Sequence, residues 1–161
     1  MKTFPSVLFV CTGNICRSPT AEIIWSRKLK DLGFKKLPKF DSAGTTAYHV
    51  GEAPDYRMQR ALRGAGYQPF GRSRLVHQTD IQEFDLVIGM SNSHIRHMRQ
   101  TFADYAKLLH RLNLFSELCD LNEVTDIPDP YYGGEDGFIN VVRLIENGCD
   151  NLIRKIKMDQ I

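Results

Sequence analysis

Val7-Leu8-Phe9-Val10-Cys11-Thr12-Gly13-Asn14-Ile15-Cys16-Arg17-Ser18-Pro19-Thr20 joins an apolar run, a short polar loop and the opening of a helix. The apolar run from Val7 suits a strand buried on both faces of a parallel sheet. Ser18 reads as the N-cap of the helix, with Pro19 at the first helical position, where a missing N–H costs nothing. Ala21, Ile24, Trp25, Leu29 and Leu32 then recur at helical spacing until Gly33 ends the segment. Gly13 and Asn14 are the residue types that most readily take left-handed backbone angles. A turn there, followed by a helix N-terminus, turns successive N–H groups into one concavity suited to a tetrahedral oxyanion.

Cys11 stands at the entrance of this loop and Arg17 at its exit. Converging N–H dipoles and a guanidinium favour the thiolate of a nearby cysteine. Arg17 adds a planar fork of donors that matches two phosphate oxygens, a geometry lysine lacks. Taken singly, these are a buried cysteine at a strand end and an arginine beginning a helix. Taken together, they place a nucleophile and an oxyanion ligand on one loop. Cys16 lies within the same loop, so an oxidised Cys11 would have a resolving thiol close by.

Outward from this stretch the chain alternates strands with helices. Lys39 to Gly44 is predicted as a strand. A helix entered through Pro54 carries Met58, Ala61, Leu62 and Ala65 and ends at Gly64 or Gly66. Thr79-Asp80-Ile81-Gln82 has the spacing of a capping box. Asp85 to Gly89 is the next strand, and Ile95, Met98, Phe102 and Tyr105 form a helical stripe capped by Ser91 or Asn92. Lys107 to Arg111 is predicted as the last strand. The stripe Phe138, Val141, Val142, Ile145, Cys149, Leu152, Ile153 and Ile156 marks a long C-terminal helix that packs Cys149 into the core. This alternation implies a single three-layer α/β domain over residues 1–161, a parallel sheet flanked by helices, with ligands bound outside the carboxyl ends of the strands.

Between Asn113 and Asp136 regular signals are few, and Ile127-Pro128-Asp129-Pro130-Tyr131-Tyr132-Gly133-Gly134 reads as a stiff loop with flexible exits. Beside a thiolate–phosphate loop, Asp129 is the candidate proton donor to a leaving oxygen. Tyr131 and Tyr132 are either loop packing or apolar walls for a flat substrate.

Composition narrows the class. The 161 residues are 42% hydrophobic and 25% charged, as in an ordinary globular chain, and the net charge of +2 gives no ground for nucleic-acid or membrane binding. No apolar run reaches membrane-spanning length and no secretory leader is evident, so a cytoplasmic location is the expectation. Cys11, Cys16, Cys119 and Cys149 do not form a disulfide scaffold or a zinc pattern. His49, His77, His94, His97 and His110 show no metal-ligand spacing. Loop amides and Arg17 supply the charge stabilisation, so neither metal nor other cofactor is expected. Cys119, after Leu118, has no assigned role.

The signature Val10-Cys11-Thr12-Gly13-Asn14-Ile15-Cys16-Arg17-Ser18-Pro19 resembles that of the low-molecular-weight protein tyrosine phosphatases. Asp129-Pro130-Tyr131-Tyr132-Gly133 resembles the acid loop of that family, and Asp41-Ser42-Ala43-Gly44 and His49-Val50-Gly51 are intermediate matches. The resemblance implies a four-stranded parallel sheet and hydrolysis of phosphotyrosine or small aryl phosphates through a cysteinyl-phosphate. It implies Cys11, Arg17 and Asp129 as catalytic residues, with Thr12, Gly13, Asn14, Ile15, Cys16 and Ser18 forming the phosphate loop. Ile15, Tyr48, Tyr131 and Tyr132 become the substrate walls. Asn14, Ser18 and Ser42 become the loop-supporting network, with Ser18 also stabilising the leaving thiolate. A loop-supporting histidine of many relatives aligns with Gly71 here. Inhibition by phosphate-like oxyanions and a monomeric state are expected. Arsenate reductase shares this fold and loop in one of its families, yet it needs a cysteine pair in mid-chain. Residues 31–118 of this chain contain none. A module that only binds phosphate would need neither Cys11 nor Asp129.

Overall fold

The computed structural model describes residues 3–161. Four parallel strands, β1 (Val7–Cys11), β2 (Phe40–Gly44), β3 (Leu86–Gly89) and β4 (Leu112–Leu114), form one sheet in the order β2-β1-β3-β4. Register runs from Val7 opposite Phe40 to Cys11 opposite Gly44 on one side of β1, and from Val7 opposite Leu86 to Val10 opposite Gly89 on the other. β1 is therefore central, and every one of its residues is buried.

Alternation along β1 feeds two cores. Val7, Phe9 and Cys11 face the layer built by α1 (Arg17–Asp31), α2 (Tyr56–Gly64) and, later in the chain, α5 (Phe115–Leu118) and α6 (Glu135–Lys157), around Trp25, Met58, Phe115 and Phe138. Leu8 and Val10 face the opposite layer of α3 (Asp80–Glu83), α4 (Asn92–Thr101) and a 3₁₀ helix over Ala103–Arg111. The result is the three-layer α/β architecture expected from the alternation of periods. From β1 the chain passes through α1 to β2 on one side and then crosses back to β3 on the other, which puts the carboxyl end of β1 at the topological switch point.

Local details depart from the sequence reading in four places. α1 starts at Arg17 with Cys16 as its N-cap residue, two positions ahead of a Ser18 cap; the Ser18 hydroxyl is engaged elsewhere. Only Asn14 takes a positive φ, at 55°, whereas Gly13 does not. Thr79 makes no capping hydrogen bond, because its hydroxyl pairs with His77 Nδ1 at 2.9 Å. Past Thr101 the chain is 3₁₀ helix over Ala103–Arg111, so Phe102 is the C-cap of α4, Tyr105 of the expected stripe lies outside that helix, and residues 107–111 are not a strand; β4 follows at Leu112. Elsewhere the reading holds: Gly33 lies at φ 83° just past α1, Ser91 is the cap of α4, and the α6 stripe is buried throughout. Cys119 is fully buried, where α5 meets α6. Burial raises the pKa of Cys119 and Cys149, leaving both as inert packed thiols.

Candidate active site

The loop between β1 and α1 is held from outside by its carbonyls. Cys11 O accepts from Thr45 N at 2.9 Å, Thr12 O from Thr46 N at 3.0 Å, Ile15 O from Asp55 N at 2.8 Å and Cys16 O from Thr20 N at 3.2 Å. Gly13 O accepts from Ser73 Oγ at 2.9 Å. With the carbonyls turned outward, the N–H groups of Gly13, Asn14, Ile15 and Cys16 meet no acceptor among the described residues. Uncommitted backbone donors in a folded interior are rare, and a cluster beside a helix N-terminus is an anion-binding arrangement.

Two glycines make this packing possible. A Cβ on Gly13 would lie 2.9 Å from the His49 ring, and one on Gly44 would lie 2.7 Å from Thr12 O. Gly13 is thus required for space rather than for a left-handed backbone.

Asn14 ties the loop to its surroundings. Its Nδ2 donates to Ser18 Oγ at 2.8 Å and to Ser42 Oγ at 2.9 Å, while Oδ1 accepts from Arg74 N at 3.0 Å. Ser18 Oγ lies 3.0 Å from Cys11 Sγ and donates to Ala43 O at 3.3 Å. Ser42 Oγ donates to Glu22 Oε1 at 3.1 Å. Glu22, which the sequence did not single out, reaches the network from α1 where Gly71 has no side chain. A Cβ at Gly71 would sit 3.5 Å from Glu22 Oε2, and φ there is 101°. Burial, then Asp41 beside it, pushes the Glu22 carboxyl up to about 7, while Ser42 opposes the rise.

Arg17 is buried with its guanidinium at the cavity floor. Nη1 donates to Ile127 O at 3.1 Å, and Nη2 lies 3.6 Å from Asp129 Oδ2 and 3.4 Å from Thr12 Oγ1. Asp129 is 45% exposed, so it faces the cavity mouth, and its Oδ1 accepts from Tyr131 N at 3.0 Å. The acid loop is clamped from α2: Arg57 Nη1 donates to Tyr131 O at 3.0 Å, and its guanidinium lies over the Tyr131 and Phe138 rings. Arg57 in turn is held by Asp55, the α2 N-cap.

These elements enclose a cavity of about 270 Å³ with Cys11, Cys16 and Arg17 at its base. Ile15, Tyr48, His49, Tyr131 and Tyr132 stand around it. Tyr131 and Tyr132 meet edge to face at 5.0 Å. Tyr48 and Tyr132 are 86% and 92% exposed, which leaves both rings free to lie against a flat substrate. The structure thus brings Cys11, Thr12, Gly13, Ile15, Cys16, Arg17, Tyr48, Asp129, Tyr131 and Tyr132 to one cavity, with Asn14, Ser18 and Ser42 behind its floor. Glu22, His49, Asp55, Arg57, Ser73, Arg74 and His94 join them without a sequence signal of their own, apart from His49 in its Val50-Gly51 match. Among the described residues no group of His, Cys, Asp or Glu is arranged to hold a metal ion.

A cysteine and an arginine at the two ends of an anion-binding loop, on the central strand of a doubly wound sheet, define a small phosphate-loop protein. Residues 6–161 match the low molecular weight phosphotyrosine protein phosphatase family, and the chain belongs to it. It is 37% identical over 154 residues to the low molecular weight protein-tyrosine-phosphatase of Streptomyces coelicolor, covering 94% of this chain and 93% of that one. A protein tyrosine phosphatase of Entamoeba histolytica, solved with Hepes in its active site, superposes with a TM-score of 0.90 at 35% identity, covering 97% and 99% of the two chains. The tyrosine phosphatase Wzb of Escherichia coli K30, solved in complex with sulphate, gives a TM-score of 0.82 at 28% identity over 95% and 99%. The chain is an enzyme of this class, a protein-tyrosine phosphatase.

Proposed function

We propose that the enzyme hydrolyses phosphotyrosine and aryl phosphate monoesters through a cysteinyl-phosphate. The Cys11 thiolate attacks phosphorus in line as the P–O bond to the phenol breaks. Loop N–H groups and Arg17 hold the equatorial oxygens through both steps. Asp129 gives its proton to the departing phenolate, then takes one from the water that hydrolyses the phosphocysteine. Inorganic phosphate leaves and the thiolate returns, stabilised by Ser18 Oγ. Asn14 already donates to that hydroxyl, so its hydrogen is shared between Cys11 Sγ and Ala43 O, and a thiolate draws it toward sulfur.

The observation that carries this reading is the loop itself: outward carbonyls, uncommitted N–H groups and Cys11 Sγ 3.0 Å from Ser18 Oγ, beneath Asp129. Ile15, Tyr48, Tyr131 and Tyr132 supply apolar walls for an aromatic ring. Phosphate-like oxyanions then act as competitive inhibitors, and the wild-type chain acts as a cytoplasmic monomer. No helix among the described residues is long and apolar enough to cross a membrane. Peroxide is expected to oxidise Cys11, with Cys16 as its partner in a protective disulfide.

Turnover of para-nitrophenyl phosphate by clean reduced protein, abolished in Cys11→Ser, tests the reading. No turnover at mildly acid pH would remove it.

A further inference from the structure

His94, in the first turn of α4, is buried, and its ring edge reaches the phosphate loop. Its Nδ1 accepts the Ser91 N–H at 3.0 Å. A backbone N–H only donates, so Nδ1 carries no hydrogen and the ring proton is on Nε2. Burial, with the nearby Arg17 charge, lowers the His94 pKa to about 3, which keeps the ring neutral through the working range. Nε2 lies 2.9 Å from Thr12 Oγ1 and donates to it. Arg17 Nη2 approaches the same oxygen at 3.4 Å.

Two donors occupy both lone pairs of the Thr12 hydroxyl. Its hydrogen is the one remaining valence, and Thr12 is an exposed residue lining the cavity beside Cys11, Arg17 and Asp129. We propose that Thr12 Oγ–H donates to a phosphoryl oxygen alongside Arg17, and that His94 is the positioning residue that fixes this hydroxyl as a donor. This deepens the phosphatase reading and rests on it. Without His94 the hydroxyl would be held only by the longer Arg17 contact at 3.4 Å, leaving one lone pair open to turn toward the anion in part of its rotamers. With His94 the hydroxyl is set for an oxyanion before one arrives, which is the preorganisation that electrostatic catalysis requires.

Thr12→Val keeps the branched shape and removes the hydroxyl; Thr12→Ser keeps the hydroxyl. Binding of inorganic phosphate, followed by the NMR shifts of the loop amides, is expected to weaken about 10- to 100-fold in Thr12→Val, the range for one hydrogen bond to a charged group. Thr12→Ser should recover most of that loss. Nitrogen-15 NMR of the wild-type imidazole should show a protonated Nε2 and a bare Nδ1 on His94. Unchanged phosphate affinity in Thr12→Val, beside a wild type that binds phosphate and turns over para-nitrophenyl phosphate, overturns the proposal and leaves the phosphatase reading standing. A loss seen only in kcat, with phosphate affinity intact, also overturns it, because the hydroxyl would then serve Asp129. An Nδ1-protonated His94 removes the positioning role. A wild type that neither binds phosphate nor turns over substrate sinks both.

Discussion

Asp129 Oδ2 stands 3.6 Å from Arg17 while Oδ1 is capped by the Tyr131 N–H, so the carboxyl is oriented over the phosphate site without contributing to its floor. Its worth as the proposed acid depends on how much the leaving group needs a proton. For a phenolate with a conjugate-acid pKa near ~10, Asp129→Ala should slow phospho-enzyme formation by roughly 10²–10⁴-fold. An ester of a far more acidic phenol should lose much less, and phosphate affinity should hardly move. Single-turnover rates across a series of aryl esters measure this; equal losses with an unchanged slope would mean general loop damage instead. Cys16 presents the opposite chemistry in the same loop. Burial, then Asp55 beside it, raises its thiol pKa, so it rests protonated. Oxidation of Cys11 to a sulfenic acid, and condensation with the Cys16 thiol to release water, would close a disulfide that dithiothreitol reopens. After equal peroxide exposure, Cys16→Ser should therefore recover less activity than wild type. Equal recovery of the two would reduce Cys16 to a packing residue.

At the scale of elements, α2 couples the two loops. Its N-cap residue Asp55 donates its N–H to Ile15 O in the phosphate loop and holds Arg57 through its carboxylate. Arg57 then grips Tyr131 O and packs over the Tyr131 ring. Replacing Arg57 by alanine removes both contacts from the acid loop and leaves the backbone bond from Asp55 N to Ile15 O, the α2 tether of the phosphate loop, to be made without it. Arg57→Ala is expected to lower kcat on unactivated aryl phosphates at least tenfold, since a misplacement of about 1 Å can cost 10²-fold. The inhibition constant for inorganic phosphate should stay within about twofold. Matched losses in kcat and phosphate affinity would place Arg57 in the phosphate site instead. The same scale shows where periodicity misleads. Leu108 and Leu109 sit in an apolar run that reads as strand, but they pack from a 3₁₀ helix against the α4 layer. Short 3₁₀ segments have neither the period of two nor that of 3.6.

Across the whole molecule, Glu22 links the phosphate loop to pH-dependent stability. Its carboxyl rises from 4.5 to about 7 on folding, chiefly through burial and then through Asp41. The folded state therefore holds a proton between these values that the unfolded chain releases, and stability falls as pH rises through this window. Above about pH 7 the loss is complete; below about 4.5 it is absent. Glu22→Gln imitates the protonated form and retains an acceptor for Ser42. Its stability relative to wild type should grow from pH 5 to pH 8 by about 2 kcal/mol. Urea unfolding at the two pH values measures this; parallel curves would show that Glu22 does not titrate in the window.

The sequence alone determined β1, the loop that follows it, α1 and the α6 stripe, because each is written in contiguous chemistry. A buried apolar run, a loop with Asn14 and an eight-residue stripe need no distant partner to be recognised, whereas the proline-bounded Asp129 gains meaning only beside the Cys11 loop. The sequence also placed the loop at the carboxyl edge of a parallel sheet, since that topology leaves few alternatives; that β1 is an inner strand is set by the tertiary pairing. Tertiary structure decided what sets those parts. His94 meets Thr12 from 82 residues away, and Arg17 reaches Ile127 O across 110. A histidine on an amphipathic helix carries no pattern that distinguishes a solvated ring from one aimed at a loop. Likewise, nothing local tells that Glu22 will reach Ser42 beside Gly71, or that the Ser18 hydroxyl will turn from the α1 cap to Cys11 Sγ. Hydrogen bonds depend on distance and direction in space, and those exist only once the sheet has brought separate segments to one edge.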